Sequence, residues 1–137
     1  MRLLTSSNRL LLALMISLLQ ASFPHTTGAQ TIEWIRQFGS AASDGASSVA
    51  VTPEGTYVVG GTAGVLAGQS NSGGFDAFVI KYDAVGNVVW TRQFGTNFHD
   101  SGYDVAVDST GVYVVGGTDG VLPGYANTGT TDVFVRK

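Results

Sequence analysis

The chain contains an internal repeat with a period of 56 residues, and this repeat limits the fold more than any other feature. Residues 34–81 align with residues 90–137 without a gap, and 26 of the 48 aligned pairs are identical. The identical pairs include most of Trp-x-Arg-Gln-Phe-Gly, at 34–39 and 90–95, and all of Tyr-Val-Val-Gly-Gly-Thr, at 57–62 and 113–118. A fixed period of this size indicates a repeat architecture. We therefore divide the chain into repeat 1 (34–89) and repeat 2 (90–137).

Each repeat predicts short antiparallel strands joined in a meander. The apolar segments that predict strands in and before the first repeat are 31–38, 49–51, 56–60, 76–82 and 87–94. The tetrads Thr52–Gly55 and Asp83–Gly86 have the composition of tight turns, and residues 40–47 and 61–74 predict loops. The strands are nearly continuous apolar runs, such as Phe78-Val79-Ile80, which is typical of strands buried on both faces.

Four strands in a meander form one blade of a β-propeller. The predicted fold is therefore all-β, with two four-stranded antiparallel β-propeller blades after an N-terminal signal peptide. The second blade lacks its last strand, so the propeller is incomplete. Because repeat arrays generally need at least three units for stability, we expect further blades from downstream sequence or from homo-oligomerisation.

The N-terminal segment predicts export. Arg2 and Arg9 are followed by the apolar run Leu10–Leu19, and then by the small-residue site Thr27-Gly28-Ala29. This run is shorter than the about 20 residues that span a bilayer. We predict a signal peptide at 1–29 and a region 30–137 that is secreted or at the cell surface, with no membrane insertion after cleavage. The chain has no Cys and hence no disulfide.

The composition argues against two classes of partner. Residues 30–137 contain five basic and ten acidic residues, which gives a net charge of −5. Nucleic acids and anionic membranes are bound by basic patches, so neither is an expected partner. The 19 Gly residues indicate many tight turns rather than long helices.

Three segments of the chain resemble the bacterial SBBP, or seven-bladed β-propeller-like, repeat family. These segments are Asp76–Asp83, Gly86–Trp90 and Arg92–Gly95, and Val105-Ala106-Val107-Asp108 follows them. The resemblance covers essentially all of residues 30–137. It implies an exported or cell-surface protein with a propeller-like fold, and it supplies no catalytic motif.

The repeated Trp-x-Arg-x-Phe pattern places three large side chains on one face of a strand, because strand side chains alternate. The residues concerned are Trp34, Arg36 and Phe38, and Trp90, Arg92 and Phe94. An Arg beside aromatic rings can stack on them. An aromatic ligand platform is one interpretation, and structural packing between blades is the interpretation that we favour because the trio recurs.

Two groups of residues invite a chemical role. His99, the only His after residue 29, is followed by Asp100 and Ser101, but a catalytic triad requires a geometry that adjacent residues rarely supply. Asp100, Asp104 and Asp108 have a spacing that suggests Ca²⁺, yet no EF-hand or nonapeptide pattern is present. The sequence therefore predicts no catalytic residues, no metal and no cofactor.

The long loops 61–74 and 117–130 are the best place for a ligand, since binding residues concentrate in loops on rigid scaffolds. The candidate ligand-binding residues are Asn71, Asp119, Tyr125 and Asn127. The leading functional hypothesis is a non-enzymatic interaction or structural module. The alternative is a carbohydrate-binding, lectin-like propeller that uses these loops, so the expected partner is a protein or a glycan.

Overall fold

The computed structural model describes residues 31–137, which contain seven β-strands and no helix. The signal peptide predicted at 1–29 lies outside the described residues. Within the described range, no helix has the length and apolarity needed to cross a membrane. The prediction of an all-β fold is confirmed for this part of the chain.

The strands form two antiparallel sheets in the order of the sequence. The first sheet contains β1 (Asp44–Thr52), β2 (Gly55–Thr62), β3 (Asp76–Tyr82) and β4 (Val88–Phe94). The second sheet contains β5 (Asp100–Asp108), β6 (Gly111–Thr118) and β7 (Asp132–Arg136). Corresponding strands pair in the same register, for example Val59 with Val79 and Val115 with Val135.

Several predicted secondary-structure elements differ from the structure. Residues 31–38, predicted as a strand, have no strand conformation. Their repeat counterpart is β4, which pairs with β3 from Ala77–Phe94 to Tyr82–Val88. Because β2 and β4 lie on the two sides of β3, residues 31–38 do not take the place beside β3 that their counterpart β4 occupies. The predicted loop at 40–47 is also too long, because β1 begins at Asp44. The predicted loops at 61–74 and 117–130 begin too early, because β2 ends at Thr62 and β6 at Thr118.

β1 and β5 each contain a β-bulge near their start, opposite a Gly-Gly pair of the neighbouring strand. The register with the neighbouring strand shifts between Ala46 and Ser48, and between Gly102 and Asp104. Opposite these bulges, a Cβ on Gly60 would overlap the Gly45 carbonyl oxygen. Gly116 would meet a backbone carbonyl in the same way. The repeated Gly-Gly pairs therefore allow two strands to approach closely.

The two central strands of the first sheet, β2 and β3, are buried on both faces, as the apolar runs predicted, whereas β1 and β4 are largely or partly exposed. One face of β2 and β3 packs against the second sheet, in a cluster that includes Tyr57, Val59, Val79, Val114 and Phe134. The opposite face forms a second cluster of Leu66, Phe78, Ile80 and Tyr82. A two-sided environment of this kind favours continuous apolar strands over an alternating pattern.

Candidate functional site

The clearest candidate for a functional surface is the set of contacts made by the Trp-x-Arg-Gln-Phe segments. In β4, Phe94 meets Phe134 of the second sheet edge to face, with ring centroids 5.7 Å apart and planes at 75°. The Arg136 guanidinium carbon lies 4.1 Å from the centroid of the same Phe94 ring. Trp90 lies against Tyr57, at 6.1 Å between centroids. Phe94 and its two partners thus join the sheets at the end of β4, whereas Trp90 and Tyr57 pack together within the first sheet.

Residues 34–38 repeat this packing on the far face of the first sheet, although they form no strand. Phe38 meets Phe78 edge to face at 5.6 Å and 88°. Phe78 is the repeat counterpart of Phe134, so the two Phe–Phe contacts are equivalent across the repeat. Trp34 stacks on Tyr82 at 6.0 Å and 28°. The segment thus covers the first sheet in the way that β4 covers the second.

The two Arg residues sit beside their Trp neighbours, with guanidinium carbons 5.8 and 5.9 Å from the ring centroids for Arg36 and Arg92. Arg36 also fastens its segment to a turn. Its Nε donates to the Gly86 carbonyl at 2.6 Å and its Nη2 to the Val85 carbonyl at 2.9 Å. This turn is held by Asp83, whose pKa is lowered by hydrogen bonds from the backbone and side chain of Asn87.

Gln93 links β4 to the long loop 61–74. Its side-chain Nε2 donates to the Gly64 carbonyl at 2.8 Å and to Asp76 Oδ2 at 3.0 Å. Its Oε1 accepts from the Leu66 amide at 3.0 Å, and its own amide donates to Gln69 Oε1 at 3.0 Å. A side chain with this many partners fixes the loop to the fourth strand.

The second sheet has a cleft at the position that corresponds, in the repeat, to the site of Gln93 in the first sheet. The cleft has a volume of about 350 Å³, and its lining includes Leu122, Tyr125, Thr128 and Phe134. It lies along β7, which within residues 31–137 has a sheet neighbour on one side only. The cleft therefore matches the place of a fourth strand that carries a Gln.

The outer face of the second sheet is apolar and exposed. Val135 has 74% of its surface exposed, whereas its repeat counterpart Val79 has 5% and packs between the two sheets. Val133 and Val115 share this exposed face. The matched face of the first sheet is the one that contacts the second sheet, so this surface has the residues of a sheet-to-sheet interface.

The structure does not bring the four predicted ligand-binding residues together. Asn71 lies in the first long loop, where its Nδ2 donates to the Gly64 carbonyl at 3.0 Å. Asn127 makes the corresponding bond in the second loop, to the Gly120 carbonyl at 3.4 Å, and also donates to the Asp119 carbonyl at 3.1 Å. Asp119 Oδ1 accepts from the Thr131 hydroxyl. Both Asn side chains therefore hold loop backbone. Tyr125 differs, since 79% of its surface is exposed at the cleft.

His99 is not placed for acid–base chemistry with its neighbours. Its ring stacks on Phe75, with centroids 4.7 Å apart and planes at 22°.

Asp104 Oδ1 accepts a hydrogen bond from the Ser48 hydroxyl, and this bond, together with one from the Val105 amide, lowers the pKa of Asp104. Among residues 31–137, no group of three or more His, Cys, Asp or Glu residues is arranged to hold a metal ion.

Asp108 has a local role in a turn. It accepts from the side chain and the backbone amide of Thr110, and these bonds lower its pKa. Asp100 is directed instead toward Thr96, whose amide and hydroxyl both donate to its Oδ2. The spacing of Asp100, Asp104 and Asp108 thus does not correspond to a shared site.

A pair that the sequence analysis missed is formed by Asp76 and Asp100. Both are buried, and both carboxylates lie under 3.0 Å from the place that a Cβ on Gly95 would take. Each Asp has an identical counterpart in the other repeat, Asp132 and Asp44 respectively. This identity between the repeats is visible in the sequence, but it does not indicate which two of the four Asp residues lie close together.

Comparison with known proteins adds no identification. No protein-family model matches the chain, and no curated protein matches it significantly.

Proposed function

We propose that this protein is a secreted or cell-surface module of β-propeller repeats with a non-enzymatic role in interaction or surface architecture. In this proposal, each sheet is one blade, and the resemblance to the SBBP repeat family extends to the fold. The observation that supports it best is the equivalence of the Phe38–Phe78 and Phe94–Phe134 contacts, at 5.6 and 5.7 Å. The same two repeat positions thus make the same contact on a face of each sheet, which is the packing expected between successive blades.

The expected partner is a further β-sheet with a fourth strand of the same type. Strand addition to an exposed sheet edge is a common mode of recognition, in which backbone hydrogen bonds give affinity and side-chain pockets give specificity. β7 offers the edge, the cleft offers room for a Gln, and Val133 and Val135 offer an apolar face. A further blade of the same polypeptide or residues 32–38 of another copy would have the required sequence.

A peptide that corresponds to residues 87–95 tests this proposal. We expect a labelled peptide to bind the purified protein in fluorescence anisotropy titrations. Replacing its Gln by Ala removes several hydrogen bonds of about 0.5–1.5 kcal/mol each, so affinity should fall roughly tenfold or more. Replacing its Phe by Ala should weaken binding further. Absence of binding, or equal binding of the three peptides, would count against the proposal.

Export is tested separately. N-terminal sequencing of protein recovered from the culture medium should begin at Gln30. Protein that retains Met1 in the cytoplasm would contradict the predicted signal peptide and the proposed location.

Carbohydrate binding is the second candidate function, and the exposed ring of Tyr125 beside the 350 Å³ cleft favours it. An aromatic ring of this kind can stack on a sugar while nearby polar groups bind its hydroxyls. A glycan array with the wild type and with Tyr125→Ala distinguishes the two functions. Binding that is lost on this substitution would support a lectin, and a blank array would favour the interaction module.

A further inference from the structure

The buried carboxylates Asp76 and Asp100 form a feature that the proposed function does not explain. Asp76 is the first residue of β3 and Asp100 the first residue of β5, so the two sheets each contribute one. Their exposed fractions are 0% and 2%. The Asp100 amide also donates to the Phe75 carbonyl at 2.7 Å, which ties the starts of these strands together.

Each carboxylate has one oxygen with hydrogen bonds and one without. Asp76 Oδ2 accepts from the Ser72 amide at 2.8 Å and from Gln93 Nε2 at 3.0 Å. Asp100 Oδ2 accepts from the Thr96 amide at 2.6 Å and its hydroxyl at 2.9 Å. The Oδ1 atoms of both residues are buried and have no hydrogen-bond partner.

The hydrogen-bond donors around these carboxylates are uncharged amides and a hydroxyl, with no cationic side chain among them. Burial of a charge is costly unless it is paired or coordinates a metal. Gly95 allows both carboxylates to lie against its backbone, because a Cβ there would overlap Asp76 Oδ1 and would be 2.8 Å from Asp100 Oδ2. The site thus combines two buried carboxylates that approach the same glycine with one unpartnered oxygen on each.

The repeat provides an internal comparison. Asp44, the counterpart of Asp100, accepts from the Ser40 hydroxyl on both of its oxygens. Asp132, the counterpart of Asp76, accepts from the Thr128 amide on Oδ2 and from the Thr128 hydroxyl on Oδ1. Asp44 is exposed and Asp132 is partly exposed, whereas Asp76 and Asp100 are buried. Among the described residues, buried carboxylate oxygens without a partner are therefore found only at the junction of the two sheets.

We propose that Asp76 and Asp100 bind one Ca²⁺ ion at this junction and that the ion stabilises the packing of the two sheets. Ca²⁺ takes six to eight oxygen ligands in flexible geometry, from carboxylates, backbone carbonyls and water. The two carboxylates supply the charged ligands, and loop carbonyls and water complete the shell. Mg²⁺ fits less well, since it demands a near-ideal octahedron. This inference departs from the sequence analysis, which predicted no metal.

The test is a calorimetric titration of the chelator-treated protein with CaCl₂ alone. We expect one ion per chain and a melting temperature that rises by about 5 °C or more at a hundredfold excess over Kd. Asp76→Asn and Asp100→Asn should each weaken binding at least tenfold. Asp44→Asn and Asp132→Asn are the matched controls and should bind as the wild type does.

Hydrogen exchange on the wild type keeps the test decisive if the Asn variants do not fold. With Ca²⁺, the amides of Ser72 and Thr96 should exchange more slowly, because they donate to the two ligand carboxylates. The matched amides of Ser40 and Thr128 should not change. No binding at about 10 mM Ca²⁺, well above the roughly millimolar limit for weak extracellular sites, would overturn the proposal. So would protection that is equal at all four amides, or Asn variants that bind as the wild type.

Discussion

The contact between Phe94 and Phe134 should couple the stability of the two sheets. Phe134 has 7% of its surface exposed and belongs to the cluster between the sheets. A buried Phe removes about 150–250 Å² from water, which at about 25 cal/mol per Å² corresponds to roughly 4–6 kcal/mol as an upper value. Phe→Ala substitutions in cores cost about 3–5 kcal/mol. We therefore expect Phe134→Ala to lower the free energy of unfolding by about 4 kcal/mol.

A loss of this size approaches the total stability of a small domain, about 5–15 kcal/mol, so milder substitutions are preferable for measuring the contact itself. Phe94→Leu, Phe134→Leu and the double variant form a double-mutant cycle, followed by urea unfolding. Edge-to-face pairs contribute about 0.5–1.5 kcal/mol beyond burial. The coupling energy should fall within that interval.

Two controls make this measurement specific. The equivalent pair Phe38 and Phe78, at 5.6 Å, should give a coupling energy of similar size. Phe98→Leu, at a position with 54% of its surface exposed, should change stability by less than about 0.5 kcal/mol. A Phe94–Phe134 coupling below about 0.3 kcal/mol would mean that the substitutions are additive. It would refute the argument that this contact joins the sheets.

Three further substitutions or conditions have predictable effects. The Tyr82 hydroxyl is buried without a partner and burial raises its pKa, so Tyr82→Phe should leave thermal stability unchanged or raise it, by up to about 1 kcal/mol. Gly86→Ala should lower the free energy of unfolding in urea by about 1 kcal/mol or more, because its φ of 79° is strained for Ala and the new Cβ would meet the Trp34 ring at 2.8 Å. Gly68→Ala is the control, since Gly68 has a similar φ of 72° but no neighbour within 4 Å of the new Cβ, and it should cost less. Folding lowers the pKa of the Asp108 carboxyl below 3.8. Its contribution to the free energy of unfolding is therefore present above that pH and is lost as the pH falls through the pKa of the folded state. The urea concentration at the midpoint of unfolding should drop below about pH 4, and this drop should be smaller in Asp108→Asn.

The sequence by itself determined the features that depend on neighbouring residues. The repeat indicated a duplicated β-meander, and the described residues form sheets of four and three antiparallel strands. The turn at Asp83–Gly86 was identified from its residues because Asp bonds its own following backbone and Gly adopts a positive φ. Apolar runs such as Phe78-Val79-Ile80 indicated strands buried on both faces, since burial removes the need for alternation.

Only the tertiary structure decided which segments become strands and which side chains meet. Trp34–Gly39 and Trp90–Gly95 are nearly the same sequence, yet only the second segment contributes to a strand. A strand's hydrogen bonds are made to another segment, and it is β4, not residues 34–39, that pairs with β3 on the side opposite β2. Asp76 and Asp100 likewise come from different repeats, so their juxtaposition depends on how one sheet packs on the other. Local sequence determines what a segment can form, and non-local pairing and packing determine what it does form.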